Sequence, residues 1–292
     1  MPTVLAVLLV GLAVALVLVG WSAAHRSGRA PTDPEAAERW LVRHAPRRLR
    51  SLLEHLDRRV AGGAAVAVGF VVVLVAALVV GWIFETIDSA RGFAQFDERA
   101  AEWGATNATD TSIRILDAIT QAGGTAFVTV MLCLVAAADW WRRRNLGVVG
   151  YLATVGVGVV LLNNGLKLLV DRERPDVGQF VEHWGASFPS GHSAAAAACW
   201  AAVALVVTRH GSRSQRIAGA VVAGVVAVAV AASRVLLGVH WLTDVIAGLV
   251  VGWTWFFVSS LAFGGRLVRL GEPAERVTEH RLEPSHAAVE ES

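Results

Sequence analysis

The chain has 292 residues, of which 55% are hydrophobic and 17% charged, and its formal net charge is +2. This apolar fraction lies above that of soluble globular domains, so the composition excludes a soluble domain and favours a membrane protein. The two cysteines, Cys133 and Cys199, lie within apolar runs and form neither a zinc-binding spacing nor a disulfide framework.

Seven apolar segments follow one another along the chain, and several exceed the roughly 18 residues needed to cross a bilayer. They cover roughly residues 3–24, 60–84, 121–139, 146–170, 191–209, 217–237 and 241–263. The sequence therefore predicts an all-α, polytopic transmembrane helical bundle. No positive region precedes the first segment, which favours an uncleaved N-terminal span (residues 1–24) over a cleaved signal peptide.

Arginines between the spans set the predicted orientation. They cluster in 25–59, 142–144, 209–216 and 266–269, whereas the stretch 85–120 is richer in acidic residues. If the chain crosses the membrane at every apolar segment, the four basic regions share one side. The positive-inside rule identifies that side as the cytoplasm.

The remaining segments complete the predicted organisation. Residues 25–59 form a basic cytoplasmic linker, in which leucines at helical spacing among arginines are typical of an amphipathic helix on the inner leaflet. Residues 60–265 hold the other six spans. Residues 266–292 are charged and contain proline, so we expect a disordered cytoplasmic tail.

Three polar islands interrupt these apolar spans. The first runs from Lys167 to Pro175, and Lys167 is the only lysine among the 26 basic Lys and Arg side chains. The second is 189–192 (Pro-Ser-Gly-His), and the third runs from Ser233 to Asp244. The orientation derived from the arginines predicts that all three islands lie on the external face.

The islands carry residues suited to phosphoryl chemistry. Asp244 lies four residues after His240, so on a helix the carboxylate can orient the imidazole for nucleophilic attack. Ser190 is a good N-cap, Gly191 permits an anion to approach the first helical amides, and His192 is positioned to exchange a proton there. The alternatives are a buried structural His–Asp pair and an ordinary helix start.

Three cations, Lys167, Arg174 and Arg234, stand at the ends of spans. A cation near hydrocarbon is costly unless it is paired or faces water, and is therefore a functional candidate. Snorkelling of each side chain to the lipid headgroups is the alternative. Three cations around one position suit the dispersed negative charge of a transferring phosphoryl group.

Together the islands resemble the three-part signature of the type 2 phosphatidic acid phosphatase superfamily, in its integral-membrane branch. Lys-x6-Arg-Pro occupies 167–175, Pro-Ser-Gly-His occupies 189–192, and Ser-Arg-x5-His-x3-Asp occupies 233–244. The resemblance covers about 60 to 263 and implies a six-span phosphatase core, to which the first span and the basic linker are additions.

The resemblance implies a role for each matched residue. His240 would attack phosphorus and become a phosphohistidine, with Asp244 holding its orientation. His192 would protonate the departing oxygen and then activate water. The residues that would bind the phosphate are Lys167, Arg174, Ser190, Gly191 and Arg234. Ser233 would have only a supporting role, and neither a metal nor another cofactor is expected.

The resemblance also implies an enzyme, a phosphatase or diphosphatase acting on a lipid at the external side of the plasma membrane. Candidate substrates are a polyprenyl diphosphate such as undecaprenyl diphosphate, phosphatidic acid, phosphatidylglycerol phosphate and phosphorylated prenyl-sugar lipids. An outward-facing bacterial site favours the polyprenyl substrate. Phosphotransfer to an acceptor other than water, and non-catalytic lipid-phosphate binding or transport, are the alternatives. The expected partners are the lipid phosphate and the bilayer, without nucleic acid.

Overall fold

A computed structural model describes residues 58–88, 95–182 and 185–267 of the chain. The predicted first span, nearly all of the basic linker and the tail from residue 268 lie outside these described residues. The predicted core from 60 to 265 lies within their limits, apart from two short gaps.

The described residues form eight α-helices and contain no strand, which confirms the predicted all-α class. In chain order, the helices are α1 (Arg58–Asp88), α2 (Gln95–Thr106), α3 (Asp110–Gln121), α4 (Thr125–Arg143), α5 (Leu146–Leu169), α6 (Gly191–Thr208), α7 (Arg213–Leu236) and α8 (Leu242–Leu267). Six of them, all but α2 and α3, are long and apolar enough to cross a membrane. These six match the predicted segments from 60 to 263.

Helix α6 lies at the centre of the bundle and packs against α4, α5, α7 and α8. Its run of alanines, 194–198, is buried and lets the neighbouring backbones approach closely. Ser190 caps its N-terminus, and its side chain accepts the Ser193 amide. The polar 189–192 island is thereby fixed at one end of the most buried helix.

Helices α6 and α8 pack closely at Gly248 and Gly252 of α8. A Cβ atom on Gly248 would lie 2.5 Å from the Ser190 carbonyl oxygen, and one on Gly252 would lie 2.3 Å from the Ala194 carbonyl oxygen. Both distances are far shorter than a normal contact. The absence of a side chain at Gly248 and Gly252 therefore allows the two helices to pack this closely.

The stretch between the first two described spans holds two helices that the apolar pattern did not predict. Helix α3 starts with a capping box between Thr109 and Ser112, and it packs on α7. Helix α2 packs on α7 and α8. The predicted span 121–139 starts at Thr125 instead, because α3 continues to Gln121 and a turn containing two glycines separates the helices.

Candidate active site

The three polar islands meet at one end of the bundle, where the α5–α6 loop (residues 170–190) lies against the α7–α8 turn. Two hydrogen bonds join the loop to the turn, from the Phe180 amide to the Leu237 carbonyl and from the Trp241 indole to the Glu173 carbonyl. A third, from the Ser187 amide to the Arg172 carbonyl, joins two parts of the loop. Gly238 turns the chain with a φ of 70°, and a Cβ there would collide with the Val177 carbonyl oxygen at 2.4 Å. The loop and the turn therefore pack backbone against backbone.

His240 is buried in the turn before α8, between a carboxylate and a guanidinium. Its Nδ1 lies 3.4 Å from Oδ2 of Asp244, which is in the first turn of α8, and its Nε2 lies 3.3 Å from Nη1 of Arg174. Burial lowers the pKa of the imidazole from 6.5 to about 4, although the hydrogen bond with Asp244 opposes the change. At neutral pH the ring is uncharged, so one ring nitrogen retains a lone pair.

Asp244 is fully buried, and both of its oxygens have partners. Oδ2 accepts the Ser187 hydroxyl and, at 3.0 Å, the Trp241 amide; Oδ1 accepts Nη1 of Arg172 at 2.6 Å. These bonds fix the plane of the carboxylate, so the direction in which it faces His240 is fixed as well.

Arg172 and Asp97 extend this network beyond the residues that the sequence singled out. Nη2 of Arg172 donates to Oδ2 of Asp97 at 2.8 Å. Asp97, on α2, also accepts the Thr243 amide at 2.9 Å and the Thr243 hydroxyl at 2.6 Å. The Arg172 guanidinium lies 5.3 Å from the centre of the Trp241 ring. Asp97, Arg172, Ser187 and Thr243 were not predicted from the sequence, although Arg172 lies inside the first motif.

The three predicted phosphate-binding cations converge on this end of the bundle. Lys167 and Arg174 both donate to the Ala186 carbonyl, and Arg174 also donates to the Val239 carbonyl at 2.6 Å. Arg234 is 4% exposed and donates to the Thr120 hydroxyl at 3.3 Å. Burial lowers the pKa of the Arg174 guanidinium, and the Asp244 carboxylate opposes that change.

Two of these cations have no carboxylate beside them among the residues that the structure describes. Within the described part of the chain, neither Lys167 nor Arg234 has a carboxylate oxygen at salt-bridge distance, and Nε of Arg234 has no hydrogen-bond partner. Arg172, in contrast, is paired with two carboxylates. A buried guanidinium nitrogen without a partner is costly, and an anion bound beside it would remove that cost.

The N-terminus of α6 completes the arrangement. Ser190 is buried, and its amide donates to the Asp244 carbonyl at 3.0 Å, which joins the second motif to the third. His192 interacts electrostatically with Arg234, His240, Lys167 and Arg174, so it lies among the same charged groups. A Cβ on Gly123 would lie 2.7 Å from the His192 carbonyl oxygen, so the α3–α4 turn packs against this first helical turn.

Every site residue predicted from the sequence therefore lies at this end of the bundle. Ser233 also lies there, but its hydroxyl is directed to the backbone of its own helix. The Ser233 hydroxyl donates to the Val230 carbonyl at 2.7 Å. Across the described residues, no three His, Cys, Asp or Glu side chains lie together as a metal site would require. The arrangement combines an oriented neutral imidazole, a second histidine and unneutralised cations, which is suited to nucleophilic attack on an anionic group.

Similarity to known proteins agrees with this chemistry. The model of the PAP2 superfamily matches residues 147–267. Phosphatidylglycerophosphatase B of Bacillus subtilis (strain 168) is 34% identical over 147 residues, which are 49% of this chain and 71% of that protein. Lipid A 1-phosphatase of Rhizobium etli is 40% identical over 116 residues, but this match spans only 36% of the chain and 46% of that protein.

A solved structure has the same fold. The crystal structure of a transmembrane PAP2-type phosphatidylglycerolphosphate phosphatase from Bacillus subtilis aligns with a TM-score of 0.57 and 28% identity, over 61% of this chain and 90% of that one. The predicted polytopic transmembrane fold is thus confirmed, and so is the predicted enzyme class, a hydrolase acting on lipid phosphates. The chain belongs to the PAP2 superfamily and is a multi-pass membrane lipid phosphatase.

Proposed function

We propose that the enzyme removes a phosphate group from a membrane lipid through a phosphohistidine formed on Nε2 of His240. One observation carries the proposal. The His240 ring lies between the Asp244 carboxylate at 3.4 Å and the Arg174 guanidinium at 3.3 Å, and this carboxylate is fixed by other hydrogen bonds. With the Nδ1 proton directed to Asp244, the Nε2 lone pair faces the cations that would hold the phosphate.

The reaction would proceed in two displacement steps. In the first, the Nε2 lone pair forms a bond to phosphorus while the bond from phosphorus to the lipid oxygen breaks. His192 gives its proton to the departing oxygen, so the lipid leaves as an alcohol, or as a monophosphate if the substrate is a diphosphate. In the second step, His192 takes a proton from water, water attacks phosphorus, and inorganic phosphate leaves the regenerated imidazole.

Charge stabilisation would come from the cations and from the start of α6. The cations Lys167, Arg174 and Arg234 would neutralise the phosphoryl oxygens, whose negative charge is dispersed in the transition state. Ser190 caps α6, and the amides that precede Ser193 have no acceptor within the helix. Together with the Ser190 hydroxyl, the Gly191 amide would donate to the same oxygens.

The chemistry would take place at the external face of the plasma membrane. The opposite end of the bundle, here called the basic end, carries Arg142, Arg143, Arg144, Arg209, Arg213 and Arg216. The hydrogen bonds of Arg143 with His210 and of Arg209 with Asp139 join α4 to the C-terminus of α6 at that end. Helix α6 has 18 residues, so it separates the two ends by about 27 Å. The positive-inside rule supports a cytoplasmic basic end.

The first substrate to test is phosphatidylglycerol phosphate. The relative that shares 34% identity is a phosphatidylglycerophosphatase, and the aligned crystal structure is of the same kind of enzyme. Sequence alone favoured a polyprenyl diphosphate, and the group that Lys167, Arg174 and Arg234 would bind is common to both. A site at the end of the spans would admit the headgroup from the aqueous side while the lipid chains remain in the bilayer.

Phosphate release by detergent-purified protein in EDTA tests this proposal. The substrates are phosphatidylglycerol phosphate, undecaprenyl diphosphate, phosphatidic acid and a soluble phosphate ester. The variant is His240→Ala, and the matched control is His210→Ala, which removes an exposed histidine at the basic end. We expect release from a lipid phosphate that His210→Ala retains and His240→Ala loses.

A trapping experiment tests the intermediate itself. Rapid acid-free quenching with a ³²P-labelled substrate should yield labelled protein whose label is stable to alkali and lost in acid, as a phosphoramidate bond requires. Turnover without such a label in any quenched sample, or a label that persists in His240→Ala, would contradict the phosphohistidine. Turnover only when an alcohol acceptor is supplied would instead establish phosphotransfer.

A further inference from the structure

A largely buried chain of ionisable side chains leads from helix α2 to His240. It consists of Asp97, Arg172, Asp244 and His240, here called the charge chain. Successive members are joined at 2.8 Å, 2.6 Å and 3.4 Å. Asp97 lies outside residues 147–267, the part of the sequence that matches the family model. The charge chain therefore links the catalytic end of the core to a helix that precedes the matched region.

We propose that Arg172 and Asp97 are positioning residues, which fix the orientation of the Asp244–His240 pair and set the charge that His240 experiences. The proposal rests on the phosphohistidine mechanism proposed above. Neither residue reaches the phosphate in this proposal; both act through Asp244.

The geometry supports an orienting role. The two oxygens of Asp244 are held from different sides, one by Arg172 and the other by Ser187 and the Trp241 amide. The guanidinium is held in turn, because Nη2 is bonded to Asp97 and Nη1 is also bonded to the Thr243 hydroxyl at 2.7 Å. A planar guanidinium whose two terminal nitrogens are both hydrogen-bonded cannot rotate without breaking several of these bonds. The Asp244 carboxylate, which orients the imidazole, is thus itself held in one orientation.

The charges support a second role. An unpaired Asp244 carboxylate would strongly stabilise the imidazolium form of His240, which cannot attack phosphorus. Arg172 offsets that negative charge, and Asp97 partly offsets Arg172. The two neighbours should therefore act on His240 with opposite sign: Arg172 favours the neutral, nucleophilic ring, and Asp97 favours the protonated one.

The charge chain acts alongside the other charged groups that surround His240. Arg174 in the α5–α6 loop, Arg234 on α7 and His192 on α6 interact electrostatically with His240. Lys167 on α5 interacts with Arg174, Arg234 and Asp244, and Asp117 on α3 interacts with Arg234. These groups are common to the wild type and to the variants proposed below. A comparison between variants therefore isolates the contribution of the charge chain.

A purely structural role is the competing explanation. Asp97 accepts the Thr243 amide in the first turn of α8, so it caps that helix from outside. If capping were its whole function, neutralising Asp97 would lower stability and leave the pH dependence of catalysis unchanged. The pH profile distinguishes the two explanations.

The experiment compares the pH dependence of kcat/KM for phosphatidylglycerol phosphate in wild type, Arg172→Gln, Arg172→Lys and Asp97→Asn. At a separation of about 8 Å and an effective dielectric constant of about 20, one charge moves a neighbouring pKa by about 1.5. Arg172→Gln should therefore move the acidic limb to higher pH by about 1.5 units, and Asp97→Asn, whose carboxylate is farther from His240, should move it to lower pH by a smaller amount. The titration of the substrate is the same in every protein and cancels from the comparison.

Arg172→Lys separates charge from orientation. The substitution keeps the positive charge but loses the planar guanidinium with its two donor nitrogens, so the acidic limb should stay within about 0.3 pH units of wild type. We expect kcat to fall at least about tenfold, because the carboxylate is no longer held in place, while KM changes less than about threefold. Phosphate-binding residues would show the opposite pattern, with a marked rise in KM.

The matched controls are Arg209→Gln and Asp139→Asn, which make the same substitutions in a buried ion pair at the basic end. They should lower thermal stability without moving the acidic limb. Size-exclusion chromatography in detergent establishes which variants are folded. If Arg172→Gln does not accumulate, Arg172→Lys and Asp97→Asn decide the question.

The outcomes separate this proposal from the phosphatase mechanism. Acidic limbs that move in opposite directions in Arg172→Gln and Asp97→Asn support the proposed role of the charge chain. Limbs that do not move, or that move in the same direction, would overturn it, even though His240→Ala still abolished turnover. Activity that survives in His240→Ala would overturn the mechanism on which the proposal rests.

Discussion

The contact between Gly248 and the start of α6 yields a prediction that joins packing to catalysis. A Cβ atom at position 248 would lie 2.5 Å from the Ser190 carbonyl oxygen and 3.0 Å from the Ser193 Cβ. Neither of these neighbours is the flexible end of a long side chain. Gly248→Ala can therefore be accommodated only if the N-terminus of α6 and helix α8 move apart.

The size of that movement follows from the contact distances. Restoring an ordinary separation of about 3.4 Å requires the helices to open by about 0.9 Å at this point. The opening separates Ser190 and His192 on one side from His240 and Asp244 on the other, and it stretches the bond from the Ser190 amide to the Asp244 carbonyl. A displacement of about 1 Å in a catalytic constellation costs about 10²-fold in rate, and overpacking costs about 1–3 kcal/mol of stability.

The assay is initial-rate phosphate release, with Gly224→Ala as the matched control. Gly224 lies within α7, and a Cβ there would meet nothing within 4 Å. That control removes the conformational freedom of a helical glycine without a clash, so it should retain full activity. A folded Gly248→Ala protein whose kcat lies within twofold of wild type would refute the inference that the two helices must stay in contact for catalysis.

Three further predictions concern proton binding, stability and helix capping. Because His240 must be neutral to attack and its pKa lies at about 4, kcat/KM should hold down to mildly acidic pH and fall as the pH decreases through about 4, as a pH–rate profile will test. Asp139→Asn leaves the buried Arg209 guanidinium without its counter-charge, and thermal unfolding in detergent should report a loss of about 3 kcal/mol with kcat unchanged. Ser190→Ala removes the cap of α6 and a proposed phosphate donor, so stability should fall by about 1 kcal/mol and kcat by at least about tenfold. An activity loss in Asp139→Asn, or unchanged kinetics in Ser190→Ala, would contradict these roles.

The sequence predicted the spans and the meeting of the polar islands for a simple physical reason. A chain that crosses a bilayer repeatedly returns to the same side after every two spans. The loop after the fourth span and the loop after the sixth span therefore lie on the same face, and these loops carry the three islands. The i, i+4 spacing of His240 and Asp244 also predicted their contact. Only Asp244 lies on α8, however, because the helix starts at Leu242, so the turn before the helix, and not a shared helical face, brings Nδ1 within 3.4 Å of Oδ2.

The residues that the sequence could not identify depend on tertiary contacts. Arg172 lies between Asp171 and Glu173, a context typical of a solvated loop, and Asp97 stands next to Glu98 in an acidic stretch. Nothing in either local pattern indicates that the two side chains are buried together. Their pairing follows from the way α2 packs on α8, and a single sequence carries no periodic signal for that packing.

The carboxylates near the active site distinguish cations whose roles could not be told apart from the sequence. Arg172 is neutralised by Asp97 and Asp244, so it contributes little net attraction for an anion. Lys167 and Arg234 have no carboxylate at salt-bridge distance within the described residues. Under the proposed mechanism, the phosphate supplies the negative charge that these two cations lack. In that mechanism, Arg172, which is paired with carboxylates, would orient the nucleophile, whereas Lys167 and Arg234 would bind the group that the nucleophile attacks.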